Sequence, residues 1–160
     1  MGIMDVTINN TITGKKMLKN QVFLTQTDTT IGFVSQNADK LTQIKQRPPH
    51  KHYITAVNSL QILQTFTRVP NKHKNRVRRA KKTTFVMPNS HSYRVIQDKH
   101  HLLLLNRLTW AYTTSANLSN QDYDEKFAKE IADVIVEPLN ATKEASQIVK
   151  LGKYSLKRIR

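Results

Sequence analysis

Lys45 and Arg47 stand two residues apart immediately before Pro48-Pro49. Two fixed cations at that spacing suit a phosphate or a carboxylate, the arginine through its planar, bidentate fork. Hydroxyl-rich stretches at residues 27–30, 83–84 and 113–117 accompany them. These side chains are the candidates for holding a nucleotide, because no glycine loop is available to cradle phosphates. The four glycines, Gly2, Gly14, Gly32 and Gly152, are scattered and build neither a P-loop nor a dinucleotide fingerprint. Without cysteine there is no thiolate nucleophile, disulfide or thiolate zinc site. The six histidines lack the helical spacing beside an acid that a zinc site requires, so they are read as solvated and no metal is assigned.

A second feature is electrostatic. Seven of the eleven residues from 72 to 82 are Lys or Arg, with no acid among them. Such a density raises a local positive potential that attracts phosphates with a strong salt dependence. It also serves plain solubility. No aromatic side chain lies inside the run, the nearest being Phe66 and Phe85. Backbone attraction is therefore favoured over base stacking, with Arg78, Arg79, Lys81 and Lys82 as the RNA-facing candidates.

The elements that must position these residues follow from apolar patterning. Residues 1–20 are polar and irregular and read as a lead-in with one edge strand near residues 6–8; residues 21–160 form the domain. A strand begins at 22–24 and runs into the polar cluster 25–30. Asn37 or Asp39 caps a helix with Leu41 and Ile44 on one face, stopped by Pro48-Pro49. Strands are predicted at 53–57, 83–87, 93–96, 110–114, 134–136, 147–151 and 154–159, and helices at 59–66, from Asp98 through the leucines 102–105, and at 124–133. Phe127 and Ile131 form an i,i+4 pair on the last of these, whose first turn is acidic. Strands and short helices alternate irregularly without repeat, which makes the class α/β (α+β) with a mixed sheet.

The 160 residues favour a single domain, and 38% hydrophobic residues suffice for a real core. Lys plus Arg number 26 against 11 for Asp plus Glu, a formal charge of +15 that points to a polyanionic partner. The longest apolar run, residues 102–105, is far too short to span a bilayer. The first residues lack the features of a signal peptide, and a cytoplasmic, soluble protein is expected.

Four motifs in order then carry a resemblance. Thr27-Asp28-Thr29-Thr30-Ile31-Gly32-Phe33, after a strand, looks like a Pro-Thr-(Asp/Glu)-Thr-x-(Tyr/Phe)-Gly-Leu opening. Lys45-Gln46-Arg47-Pro48 looks like Lys-x-Arg-Pro, with Lys51 matching a lysine of the bacterial branch. Thr114-Ser115-Ala116-Asn117-Leu118-Ser119 looks like Thr-Ser-Ala-Asn-x-Ser. Ser146-Gln147-Ile148-Val149 looks like Ser-Thr-Ile-Val, followed by an arginine that Arg158 or Arg160 supplies. The sequence resembles the YrdC-type family, the threonylcarbamoyl-adenylate synthases of tRNA modification.

The resemblance implies a twisted mixed sheet with surrounding helices, bent around a positively charged cavity. It implies condensation of L-threonine, bicarbonate and ATP into threonylcarbamoyl-AMP and pyrophosphate, with a partner enzyme moving the threonylcarbamoyl group to tRNA. Every species is anionic, so such a site needs cations more than an acid–base pair. By the resemblance Lys45 and Arg47 are the catalytic clamps. Thr27, Thr114 and Ser146 would bind threonine or carbamate, and Lys51, Thr84, Arg94, Ser115, Asn117 and Arg158 the nucleotide. Mg2+ would be held mainly by the ATP phosphates. Taken singly, Lys45 or Arg47 also reads as a surface ion-pair cation, and Ser115 or Asn117 as a helix cap.

The departures are local. Ala80-Lys81-Lys82-Thr83-Thr84 stands where the family has Pro-Gly-Pro-x-Thr; Gln26 replaces the opening proline, Asn120 a glycine and Gln147 a threonine. These changes keep open an alternative: a non-catalytic protein that binds tRNA or double-stranded RNA on the same fold.

Overall fold

The computed structural model describes residues 2–3, 18–139 and 144–160. Ten strands form one mixed sheet: β1 (Gly2–Ile3), β2 (Phe23–Gln26), β3 (Ile31–Ser35), β4 (Ile54–Val57), β5 (Thr83–Val86), β6 (Ser92–Val95), β7 (Trp110–Ser115), β8 (Val134–Val136), β9 (Gln147–Leu151) and β10 (Leu156–Arg158). Their spatial order is β1-β8-β2-β3-β7-β4-β6-β5-β9-β10. The pairs β1/β8, β2/β8, β4/β6 and β5/β9 are parallel and the other neighbours antiparallel.

Among the helices that lie wholly within the described residues, these pack around it: α1 (Ala38–Lys45), α2 (Leu60–Phe66), α3 (Lys74–Arg79), α4 (Lys99–Leu108) and α5 (Glu125–Ile131). Side-chain caps start four of them. Asn37 accepts from Lys40 N–H, Ser59 from Ile62 N–H, Asp98 from His101 N–H and Asp124 from Phe127 N–H, each cap stabilising by about 1 kcal/mol.

Alternate residues of the central strands face opposite layers. Phe23 and Val34 pack with Leu104, Leu105 and Leu108 of α4, while Leu24 and Phe33 pack with Leu41 of α1 and Ala128 of α5. A third cluster joins Leu60 and Leu63 of α2 and Val77 of α3 to Phe85, Val95 and Val149 of the sheet. The leucine run thus belongs to the core, except Leu103, which is 50% exposed.

The mixed α/β class expected from the sequence is the observed one. Three local expectations change. Residues 31–35 form β3, all five buried, because the strand lies between β2 and β7 with both faces covered and so shows no alternation. The basic run contains a short 3-10 turn at Asn71–His73 and the helix α3, held by Val77 beneath outward-facing cations. The last strand is confined to Leu156–Arg158. The strand expected near residues 6–8 lies outside the described residues.

Candidate functional site

A cavity of about 320 Å3 opens where β2, β3, β7 and the start of β9 converge, lined by residues that include Thr27, Arg47, His52, Arg94, Thr114, Ser115, Ser146 and Arg160. Each wall has a local cause. At the β2–β3 turn, Thr27 hydroxyl donates to Thr30 O and accepts from Thr29 N–H at 3.2 Å, a side-chain-closed turn that fixes the threonine cluster. Gly32 lets β7 approach it: a Cβ there would lie 2.9 Å from Thr114 O and 3.0 Å from Thr27 Cγ2. The register Phe33↔Thr114 and Gly32↔Ser115 sets the β7 hydroxyls beside the turn.

Arg94, on β6, is the buried centre. Its Nη1 donates to Asp28 Oδ1 at 2.9 Å and Thr29 Oγ1 at 3.0 Å; Nε and Nη2 donate to Thr84 Oγ1 at 3.2 and 3.1 Å, and Nη2 to Ser146 Oγ at 3.2 Å. Thr84 and Ser146 share a hydrogen bond of 2.8 Å. Four segments distant in sequence are thereby locked together, and Asp28 balances the Arg94 charge. Arg47 follows α1 after Gln46, whose left-handed conformation (φ 52) ends the helix. Its guanidinium carbon sits 4.5 Å from the Tyr53 ring centroid, and Nη2 donates to His52 O at 2.8 Å. Arg160 donates from Nε and Nη2 to Ser146 O at 3.1 and 2.9 Å. Among the described residues no ion pair involves Arg47 or Arg160, and no Asp or Glu lines the cavity. Two guanidiniums without a carboxylate partner in a concave, hydroxyl-lined site make an anion receptor.

Lys45 corrects an expectation. It is buried and does not line the cavity: Nζ donates to Ser115 O and Asn117 O at 2.8 Å each and to Asn117 Oδ1 at 3.4 Å. Ser119 N–H in turn donates to Lys45 O at 3.1 Å. The ammonium thus holds the loop after β7, and burial, aided by the charge of Arg47, lowers its pKa to about 8. Asn117 likewise serves the loop, accepting from Ser115 hydroxyl and donating to Leu118 O and Gln121 O.

Thr84 lies behind Arg94 rather than on the lining, and Lys51 is exposed outside it. Arg158 is exposed on β10 and pairs with Val149, whereas Arg160, two residues nearer the end of β9 where Ser146 sits, reaches the cavity. The parity of the β9–β10 hairpin does not separate the two arginines; its length does. Thr29 and Thr30, from the hydroxyl-rich stretch 27–30, line the cavity with Thr27; His52 also lines it, contrary to the solvated reading of the histidines. Arg78 and Arg79 are exposed on α3, and Lys81 and Lys82 line a separate cavity of about 180 Å3 with Asp28, Gln97 and Asp98.

Compared with known proteins, residues 15–160 match the Sua5, YciO and YrdC family, described as telomere recombination. The chain belongs to that family. It is 33% identical over 118 residues to the uncharacterized protein MG259 of Mycoplasma genitalium, covering 72% of this chain but only 25% of that protein. Among solved structures, Sua5 of P. abyssi complexed with L-threonine superposes with a TM-score of 0.75 at 15% identity, over 92% of this chain and 52% of that one. YciO of E. coli superposes with 0.71 at 18% identity, over 92% and 86%. These likenesses establish the fold. Among the described residues no helix is long and apolar enough to cross a membrane.

Proposed function

We propose that this chain is a threonylcarbamoyl-AMP synthase domain, acting on L-threonine, bicarbonate and ATP in tRNA threonylcarbamoyladenosine formation. The observation that carries the reading is the convergence of Thr27, Arg47, Thr114, Ser115, Ser146 and Arg160 on one cavity that no Asp or Glu lines among the described residues. A family relative of the same fold is known in complex with L-threonine. The cavity volume falls at the lower end of the ~300–1,000 Å3 of small-molecule sites.

In this reading the threonine amine, having given its ammonium proton to solvent, attacks bicarbonate; an N–C bond forms, a C–O bond breaks, and water leaves to give the carbamate. A carbamate oxygen then attacks the α-phosphate of ATP, and the bond to pyrophosphate breaks. Arg47 and Arg160 neutralise the carboxylate and phosphate charges. Thr27, Thr114 and Ser146 orient threonine and carbamate, and the Ser115 turn meets the nucleotide. Lys45, Asn117, Thr84 and Arg94 hold these groups in place, making Lys45 a positioning residue. Mg2+, when present, would be held by the ATP phosphate oxygens and would spread the triphosphate charge.

The test is pyrophosphate release from ATP, with magnesium and bicarbonate, with and without L-threonine. The reading expects release that depends on threonine and is lost in Arg47→Ala. Folded protein that releases none, or releases it without regard to threonine, would overturn it.

A second reading, a non-catalytic protein for double-stranded RNA or tRNA, is favoured by one observation: Arg76, Arg78 and Arg79 project from α3 into solvent. It expects duplex affinity that falls steeply with salt and with charge reversal at Arg78 and Arg79.

A further inference from the structure

We infer that a second site, outside the central cavity, binds an unpaired stretch of RNA in a groove beneath the β9–β10 turn. The groove encloses about 680 Å3 and is lined by Arg68, Asn71, Lys72, Asn89, Lys153 and Tyr154, among others. Its charged lining is wholly basic: three cations and no acid. Arg68, Lys72 and Lys153 are exposed and enter no ion pair among the described residues.

The aromatic that the basic run lacks in sequence is supplied here by the fold. Gly152 N–H donates to Ser155 O at 3.0 Å, closing a turn whose tip is Lys153-Tyr154. A Cβ at Gly152 would stand 2.3 Å from Ser155 Oγ, so the serine hydroxyl packs over the glycine in this turn. The turn brings Tyr154 to the same groove as Lys72, which lies within the 3-10 turn that leads into α3. Tyr154 is 71% exposed, which leaves ring surface for a base to stack on, and Lys153 Nζ lies 5.3 Å from its centroid. A stacking ring flanked by cations tracking a backbone is the equipment of a single-strand site. Asn71 adds a donor and an acceptor for base edges, while Asn89 is held in the wall by donating to Tyr93 hydroxyl at 3.1 Å and accepting from His91 N–H at 2.9 Å.

The groove also borders the candidate active site. Asn89 lines it, and two residues on, His91 meets His52 edge-on at 4.6 Å between ring centroids, His52 being part of the cavity wall. An unpaired strand held in the groove would run beside that cavity. The inference rests on neither reading of the preceding section.

The experiment is fluorescence anisotropy of the whole chain with a short, labelled single-stranded RNA, a labelled RNA duplex and AMP as competitor. Tyr154→Ala is expected to weaken single-strand binding by about 5- to 150-fold, the range of one base stack, while Tyr154→Phe stays near wild type. Duplex affinity and threonine-dependent pyrophosphate release should be unchanged by either. Single-strand binding that is undetectable in the wild type, or unchanged in Tyr154→Ala, or lost in parallel with duplex binding, would overturn the inference. So would competition by AMP as strong as that by the oligonucleotide, which would make the groove a mononucleotide pocket.

Discussion

Arg94 and Asp28 form a buried ion pair at 2.9 Å, and the pair sits between two cavities, Arg94 lining the larger and Asp28 the smaller. The pairing frees Arg47 and Arg160 to act as the site's uncompensated charges. Arg94 itself becomes the strut that aligns Thr29, Thr84 and Ser146.

Asp28→Asn leaves the Arg94 guanidinium buried without its counter-charge. Breaking such a pair costs about 3–5 kcal/mol, so the urea midpoint should fall sharply. Asp28→Asn combined with Arg94→Met should recover part of the loss, because the orphaned charge is gone. A single variant within about 1 kcal/mol of wild type would show that Asp28 does not compensate Arg94.

Lys45→Met removes three hydrogen bonds to the loop at 115–117. Leaving those acceptors unpaired should cost about 1–3 kcal/mol. The pH dependence has a definite sign. With the folded pKa at about 8 against 10.5 unfolded, the unfolded chain binds the extra proton between those values, so this group's contribution to stability rises with pH across that window. The stability gap between wild type and Lys45→Met should therefore be wider at about pH 10 than at about pH 7. A constant gap would mean that Lys45 titrates normally.

His101 is fully buried, neither ring nitrogen has a hydrogen-bond partner among the described residues, and Nδ1 lies 3.9 Å from Asp28. Burial lowers its pKa to about 4; Asp28 and Asp98 oppose the shift, while Arg94 and His100 reinforce it. Because the unfolded imidazole takes a proton near 6.5, stability should fall as the pH drops from 6.5 toward 4, by up to about 3 kcal/mol. Denaturant titrations at several pH values should show this slope in wild type and a shallower one in His101→Leu. Parallel slopes would contradict it.

Gly32→Ala places a Cβ against the Thr114 carbonyl and the Thr27 methyl. Backbone on one side leaves little room to relax, so a loss of about 1–3 kcal/mol is expected. A thermal melt reads the loss, and weaker anion binding should accompany it because Thr27 must shift.

Much of this was legible in the sequence, for identifiable reasons. Alternation and caps placed most strands and four helices, and the order of the short motifs selected the fold. β3 was hidden because a strand covered on both faces has no alternation. α3 was hidden because a dense run of cations masks the single buried residue, Val77, that anchors it. In the site, Arg47, Thr27, Thr114, Ser115 and Ser146, all drawn from the short motifs, line the cavity. Lys45 does not, since residue type and spacing show that a cation is available but not which carbonyls will capture it. That Tyr154 and Lys72 line one groove was equally invisible, because the fold alone brings those segments together.

The central claim is that the cavity makes a carbamoyl adenylate. The most direct measurement supplies the folded chain with ATP, magnesium, L-threonine and isotopically labelled bicarbonate, and examines the products by mass spectrometry. The account expects a threonylcarbamoyl adenylate carrying the label, formed by wild type and absent with Arg47→Ala. Labelled bicarbonate left wholly unincorporated by the folded wild-type chain would contradict it.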